Sequence, residues 1–488
     1  MESIGPLPRS NGTAASIAVI GGGLSGLAAA HRLRELSAEC VVTLYEASDR
    51  LGGVLRSTRE DGYLLEHSAD SFITNLPEAL QLCRRLGLES ELLSTLPDRR
   101  GAEVVRRGAL HRVPEGFMLM APHDAWQVWR SPLLSWRGKL RLLSECLVPR
   151  RAESLADESL ASFVTRRLGR EAFDRLVQPL VSGIYTADAR QLSMAAALTR
   201  FWDMERDHGG LMRAVWRQRT TAASTEESIG SGARYSLFMT LRGGMQQLVD
   251  RLAATLPPAS VRLSTPITRL ERVGQVWRLR LSNGESVEHD AVILAVPAPQ
   301  AARLLREADR PLSDELAAIP YAGTVLALAG YHQEQIQRPL RSFGFVVPEI
   351  EGREILAASY ASLKFPGRAP DGRLLIRVFL GGAMRPEQLE LDDAEIRRIV
   401  QHELGELIGA HGEPELFRVL RWRNAMPQYH LGHVERVARI EAAISQHSGL
   451  ALAGNAYRGV GIPQCIASGE RAAEHLLNAL AERPANLR

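Results

Sequence analysis

The sequence predicts a mixed α/β (α+β) protein with three parts: a Rossmann-type dinucleotide-binding unit, a sheet domain for substrate, and a largely helical insertion. Three observations predict it. An apolar strand at residues 17–20 runs straight into Gly21-Gly22-Gly23-Leu24-Ser25-Gly26, a GxGxxG turn followed by a helix and a second strand. Strand-like segments resume near residue 236 and again near the C terminus, so the unit is discontinuous. Residues 91–235 between them read mainly as helix.

Taken in order, residues 1–15 carry Gly, Pro, Ser, Asn and Thr without an apolar stretch and are expected to be a disordered tail. In the turn, Gly21 permits the tight bend, Gly23 lets a pyrophosphate approach the backbone, and Gly26 lets the helix pack on the strand. The helix, residues 27 to about 36, aims its free N–H groups and positive dipole end at the phosphates. The second strand, 41–45, delivers Glu46 twenty residues after Gly26. A carboxylate there accepts from both ribose hydroxyls and disfavours a 2′-phosphate. A glycine-rich turn with no ligand is the competing reading; strand, helix, second strand and terminal acid together argue against it.

Residues 61–66 then read as a hairpin return, 67–72 as a loop, and 77–86 as a helix closed by Gly87. The insertion holds one β-like stretch, 102–113. Residues 117–151 mix Trp126, Trp129 and Trp136 with Arg130, Arg137, Lys139, Arg141, Arg150 and Arg151. Such a pattern suits either a membrane-surface helix or an internal helix pair with its arginines in solvent. Pro122 and Pro132, which interrupt a continuous amphipathic face, favour the second. Residues 220–232, TTAASTEESIGSG, read as a polar linker. The dinucleotide unit resumes at LRGGMQQLV, 241–249, and residues 268–296 alternate like a β-meander around an Asn283-Gly284 turn. Extended stretches at 324–328, 343–347, 355–359 and 374–380 predict the second sheet. Residues 449–454 are a strand entering a glycine turn, and a closing helix runs from Cys465 to about Leu480. The expected domains are 16–90, 236–300 and 440–488 for the dinucleotide unit, 91–235 for the insertion, and 301–439 for the substrate sheet.

The chain has 488 residues, 45% hydrophobic and 24% charged, with a net charge of only +3, so composition gives no nucleic-acid partner. Lys139 and Lys364 are the only lysines among 59 cationic residues, a ratio that genomic base composition explains. Four cysteines without CxxC spacing indicate neither a disulfide framework nor a metal site and fit a reducing, cytoplasmic setting. No apolar run approaches the roughly 20 residues of a membrane-spanning helix.

Residues 46–53, EASDRLGG, resemble the EAxxRxGG signature of the flavin-containing amine oxidase superfamily. The resemblance implies FAD and a fold of the amine oxidase/p-hydroxybenzoate hydroxylase type. It puts Gly21, Gly23, Leu24, Ser25, Gly26, Ala47, Arg50, Gly52 and Gly53 around the pyrophosphate and Ile267 at the adenine. Gly454, Asn455, Val460, Gly461 and Ile462 fall at the flavin end, where the closing helix can stabilise negative charge on the reduced ring. Further stretches resemble the oxygen-dependent porphyrinogen oxidases of haem synthesis: EHSADSFIT, VQPLVSGIYTAD at 177–188, DMERDHGG at 203–210, MPQYHLGH at 426–433 and GNAYRGVGIPQCI at 454–466. MPQYHLGH, and Asp70 where others usually carry asparagine, resemble the Gram-positive branch, which oxidises coproporphyrinogen III.

That resemblance implies six electrons passed to O2 with H2O2 formed, and transient contact with neighbouring haem-pathway enzymes; a peripheral membrane contact is expected only on the membrane-surface reading of residues 117–151. It also implies that Asp70, in a loop near flavin and macrocycle, accepts pyrrole N–H groups; an Asx-turn residue is the competing account. Ile184 and Tyr185 look like pocket wall and Phe345 like a residue packed on the macrocycle, with core packing as the alternative for each. A propionate-binding arginine of the other branch would fall near Ala102, which leaves Arg100 and its neighbours to meet carboxylates. The usual Gly-Pro before the loop acid is Ser68-Ala69 here. His430 and His433, after Pro427, read as structural. Three alternatives stay open: oxidation of protoporphyrinogen IX, a flavin amine oxidase or desaturase, and a non-catalytic porphyrin carrier. Amine oxidases often keep a lysine near the flavin, and neither lysine here has a strand context.

Overall fold

The computed structural model describes residues 14–114, 117–122, 124–151, 157–221 and 238–482. Most of the expected tail, residues 1–13, and the expected linker from residue 222 onward lie outside them. Thr220 and Thr221, read as linker, instead finish the helix Leu211–Thr221.

A five-stranded parallel sheet forms the dinucleotide unit, in the order Val261–Arg262, Val41–Tyr45, Ser16–Ile20, Ala291–Leu294, Leu450–Leu452. Its central strand is apolar from Ile17 to Ile20 because both faces are covered there. Ile17 and Val19 pack under the helices Leu24–Leu36 and Ile462–Ala481. Ala18 and Ile20 face a three-stranded antiparallel sheet formed by Ile267–Val273, Val276–Leu281 and Ser286–His289. The two helices cross so closely that a methyl on Gly469 would collide with the Ser25 carbonyl. The closing helix starts at Ile462, three residues before the expected Cys465, because Pro463 fits a first helical turn, where no N–H partner is needed.

A seven-stranded sheet forms the second layer, in the order Leu416–Pro427, Tyr321–His332, Arg373–Gly381, Ala357–Tyr360, Gly344–Val346, Glu103–Arg106, Ala109–Arg112. The last two strands are the β-like stretch of the insertion. They join through a parallel contact of Phe345 with Glu103, so the insertion lends a hairpin to the second sheet. Period-2 alternation marks a strand but does not say which sheet it enters. One face of this sheet packs on the helix Asp393–Ile408; the other turns Leu326, Leu328 and Leu375 onto Tyr63 and Leu65 of the dinucleotide unit.

The rest of the insertion packs helices Ala125–Arg130, Trp136–Leu143, Leu160–Leu168, Gln178–Tyr185, Thr199–His208 and Leu211–Thr221 around one apolar core. Inside it Arg167 is wholly buried, paired with Glu145 and donating to the carbonyls of Val148 and Pro149 at 3.0 and 3.2 Å. Trp126, Trp136 and Leu147 stand 62%, 61% and 79% exposed on its outer side.

Candidate functional site: a dinucleotide cradle and a buried charge cluster

The glycine turn is built for a ligand. Gly21 (φ +108°) donates to the Tyr45 carbonyl at 2.8 Å, and a methyl on Gly26 would strike the Gly21 carbonyl oxygen. Beside it, Gly52 donates to the Gly22 carbonyl at 2.8 Å and lays the EASDRLGG loop along the turn. Arg50 shapes this loop from inside, donating to the carbonyls of Leu51, Leu55 and Gly53 at 3.1, 3.2 and 2.5 Å. Between the two segments a methyl on Gly23 would meet only the Cα of Gly53, at 4.0 Å. Leu24 and Ser25 occupy the first buried turn of the helix, while Ala47 is exposed.

Glu46 closes the end of the second strand. Its Oε2 accepts from the Gly22 N–H at 2.6 Å and its Oε1 from the Ser48 N–H and hydroxyl at 2.8 Å. Thr265 donates to the Glu46 carbonyl at 2.8 Å, which brings the strand carrying buried Ile267 alongside.

The other end of the cradle is the segment 454–462. Gly454 (φ +136°) leaves open space where a side chain would stand, and its N–H is held by Ser468 Oγ at 3.0 Å. Tyr429 braces the segment: its hydroxyl donates to the Asn455 carbonyl at 2.5 Å and accepts from the Gly459 N–H at 2.8 Å. The Tyr429 ring stacks on His433 at 4.1 Å, and His433 Nε2 donates to the Tyr457 carbonyl at 3.1 Å. Burial holds His433 at about 4, a neutral ring in a bracing role. His430 is half-buried beside a cavity of about 410 Å³ that Asp188, Gln428, Tyr321 and Leu389 also line.

The residues fit FAD. Some helices of the chain are capped by side chains, as by Asp124, Ser135, Ser159 and the Asp392/Glu395 capping box, and others, such as Glu78–Arg85 and Gln246–Ala253, are not. The two helices that open onto the cradle begin at Gly23 and Gly461 with no side-chain cap, which leaves their first N–H groups and positive dipole ends for an anionic ligand. Gln464 Oε1 and the Tyr457 hydroxyl are buried without a partner close by the second of these turns.

Asp70 sits where the dinucleotide unit meets the seven-stranded sheet. It is buried, and its carboxylate accepts from Lys364 Nζ at 3.0 and 3.2 Å, from Ser71 Oγ at 2.8 Å, and pairs with Arg377 at 2.9 Å. Burial alone would raise its pKa; the charges of Lys364 and then Arg377 outweigh that and hold the carboxyl well below the usual range. Arg377 also donates to the Ser68 carbonyl, and Trp422 Nε1 donates to that of His67 at 2.6 Å, so the sheet fixes the loop on both sides of Ala69.

The remaining expected residues are dispersed. Tyr185 donates to the Ala197 carbonyl at 2.8 Å, and burial pushes its phenol up to about 12. The next carbonyl, Thr186, accepts from the Ala383 N–H at 2.8 Å and ties the insertion to the sheet. Ile184 precedes Tyr185 in the same helix, its side chain outside the described set. Arg100 is half-buried, donates to the Thr95 carbonyl at 3.2 Å, and keeps a buried Nε without a partner. Phe345 lies in the core on the Asp393–Ile408 side of the sheet, against Tyr360; Val346 is the residue of that strand turned to the insertion.

Sequence reasoning passed over Lys364 and Arg377. Lys364 ends a one-turn helix, Ala361–Lys364, directly after a sheet strand, so a search for a strand lysine misses it. A charge inside the apolar run LLIRVFL was the available signal for Arg377.

The sequence matches the flavin containing amine oxidoreductase family over residues 24–477. It is 34% identical to the coproporphyrinogen III oxidase of Propionibacterium freudenreichii over 97% of this chain and 94% of that one. Identity to the coproporphyrinogen III oxidase of Bacillus subtilis is 32%, over 95% and 98% of the two chains. Among solved structures, a candidate protoporphyrinogen oxidase from Exiguobacterium superposes with a TM-score of 0.83 at 29% identity, covering 95% of this chain and 99% of that one.

Proposed function

The chain belongs to the flavin containing amine oxidoreductase family, and we propose that it oxidises a porphyrinogen, coproporphyrinogen III, to the porphyrin in haem biosynthesis. The observation that carries this reading is the likeness over 97% of the chain to a coproporphyrinogen III oxidase, so that cradle, insertion and substrate sheet all have counterparts. Aromatisation removes six hydrogens in three two-electron steps. FAD held in the cradle would supply the electron acceptor, with O2 as the final oxidant and H2O2 as its product.

The protein's own part is binding and electrostatics. The turn at Gly21, Gly23 and Gly26, the Arg50–Gly53 loop and Glu46 hold the dinucleotide, and the uncapped N terminus at Ile462 favours negative charge at the flavin end. Asp70, kept ionised, accepts pyrrole N–H groups and offsets the positive charge left on the macrocycle as hydride departs. Arg100, with its unpartnered Nε, is the proposed carboxylate contact, and Tyr185 and Ile184 the proposed wall.

The test is anaerobic flavin bleaching with coproporphyrinogen III and protoporphyrinogen IX side by side, followed by oxygen uptake and porphyrin fluorescence. Faster turnover of the four-carboxylate substrate is expected. Preference for the two-carboxylate substrate moves the chain to the protoporphyrinogen branch, and bleaching by neither overturns the reading.

A peripheral membrane contact is proposed on the exposed Trp126, Trp136 and Leu147 of the insertion, with Arg130 5.9 Å from the Trp126 ring, Arg137 5.2 Å from the Trp136 ring and Lys139 6.0 Å from that of Trp129. Indole rings and cations together suit an anionic bilayer surface. Co-sedimentation with phosphatidylglycerol vesicles is expected, and to be lost when Trp126 and Trp136 are both changed to serine. No helix among the described residues is long and apolar enough to cross a membrane.

A further inference from the structure

The loop carrying Asp70 brings one carboxylate to the seven-stranded sheet, and the sheet answers with two cations from separate elements. Lys364 comes from the turn after the strand Ala357–Tyr360, and Arg377 from the middle of Arg373–Gly381. The Lys364 ammonium spends its donors on both Asp70 oxygens and on Ser71 Oγ at 3.0 Å, and stands 5.3 and 5.1 Å from the rings of Phe238 and Phe365. The other titratable and charged groups nearby are Glu66 on the preceding strand, His67 on the loop, Arg50 and Arg56 near that histidine, and Arg368, itself near Arg59. Glu66 is engaged by Ser57 Oγ and the Met245 N–H, and Arg368 by Thr240 Oγ1 and the Leu241 carbonyl, so neither competes for Asp70.

Composition supplies a second observation. All but two of the 59 cationic residues are arginine. Of the two lysines, Lys139 is a half-exposed surface residue over Trp129, whereas Lys364 is in the interior against Asp70. A compact ammonium can bind both carboxylate oxygens and a hydroxyl at once with rotatable donors; a planar guanidinium fork would keep the charge there without all three bonds.

We propose that Lys364 is a positioning residue which, with Arg377, fixes Asp70 as an ionised and oriented hydrogen-bond acceptor at the junction of the two domains. The inference rests on the reading of Asp70 as the group that meets the pyrrole N–H donors. Without Lys364 the buried carboxylate loses the nearest charge that offsets its desolvation, takes up a proton at higher pH, and becomes a donor where an acceptor is needed. The variant keeps the cradle residues untouched.

The experiment uses the full-length flavin-loaded protein and its Lys364→Met, Lys364→Arg and Asp70→Asn variants. The rate of anaerobic flavin reduction by coproporphyrinogen III is followed between about pH 5 and pH 8. The wild type is expected to show no limb from Asp70 in this range, because its carboxyl is held well below it, whereas in Lys364→Met an acid limb is expected to enter the range, with kcat lowered more than KM is raised. Lys364→Arg restores the charge and removes that limb again. A Lys364→Met profile that matches the wild type across the range overturns the proposal, whatever its overall rate. A second arm needs no substrate: thermal midpoints of the two single variants and of Lys364→Met/Asp70→Asn across the same pH range. An ionised pair makes the two substitutions non-additive; additive effects overturn the proposal. Wild-type flavin that no porphyrinogen bleaches sinks the substrate reading instead, and the unfolding arm then decides the pair.

Discussion

Glu46→Gln exchanges one charged oxygen for an amide, and with it the acceptor that holds the Gly22 N–H at 2.6 Å and, as proposed, the ribose hydroxyls of FAD. Hydrogen bonds to a charged acceptor contribute about 1.5–3 kcal/mol, so FAD affinity should fall by about 10–100-fold, read by titration of the flavin-free protein. Gly26→Ala forces a methyl into the Gly21 carbonyl, and overpacking of that kind costs about 1–3 kcal/mol. The expected result is a protein purified with little flavin, seen as loss of the visible absorbance per mole of chain. Both residues were legible in the sequence, because a backbone that must bend and admit phosphate accepts few residue types. Asp70 was legible as a position, but its environment was not. The two cations that set its ionisation lie 294 and 307 residues away in the chain, and no local pattern reports a pairing across that distance.

At the level of elements, the closing helix and the turn before it were anticipated, whereas their brace was not. MPQYHLGH carried a family likeness, and the structure gives that stretch a mechanical role, in which Tyr429 ties Asn455 and Gly459 together while His433 stacks beneath it. Tyr429→Phe keeps the packing and removes both bonds, which leaves the Gly459 N–H without its partner. A loss of about 1–3 kcal/mol is expected, visible as a lower thermal midpoint and easier release of FAD. The 102–113 stretch behaves in the complementary way. Its alternation identified strands, but a hairpin inside a helical segment has no sequence mark for the sheet it will extend, since edge pairing is chosen by which unpaired N–H and C=O row is in reach.

Over the whole molecule, stability should depend on pH through histidines buried in the neutral form. Burial lowers His67, His289 and His433 from 6.5 to about 4. Between those values the unfolded chain binds more protons than the folded one, so stability is full above 6.5 and falls as the pH drops toward 4. Thermal midpoints measured across that range should decline, and His289→Gln should shallow the slope. In the insertion, Arg167→Met leaves Glu145 and Glu205 buried without their central cation, and a loss of about 3–5 kcal/mol in urea unfolding is expected. The sequence by itself determined the strand–glycine turn–helix–strand unit and the closing helix, because turn geometry and hydrophobic period are written in neighbouring residues. Only the tertiary structure decided which sheet took the hairpin, which face holds Phe345, and how Lys364 and Arg377 close on Asp70. Those outcomes depend on contacts between distant segments, where desolvation and charge pairing act through space and leave no periodic trace along the chain.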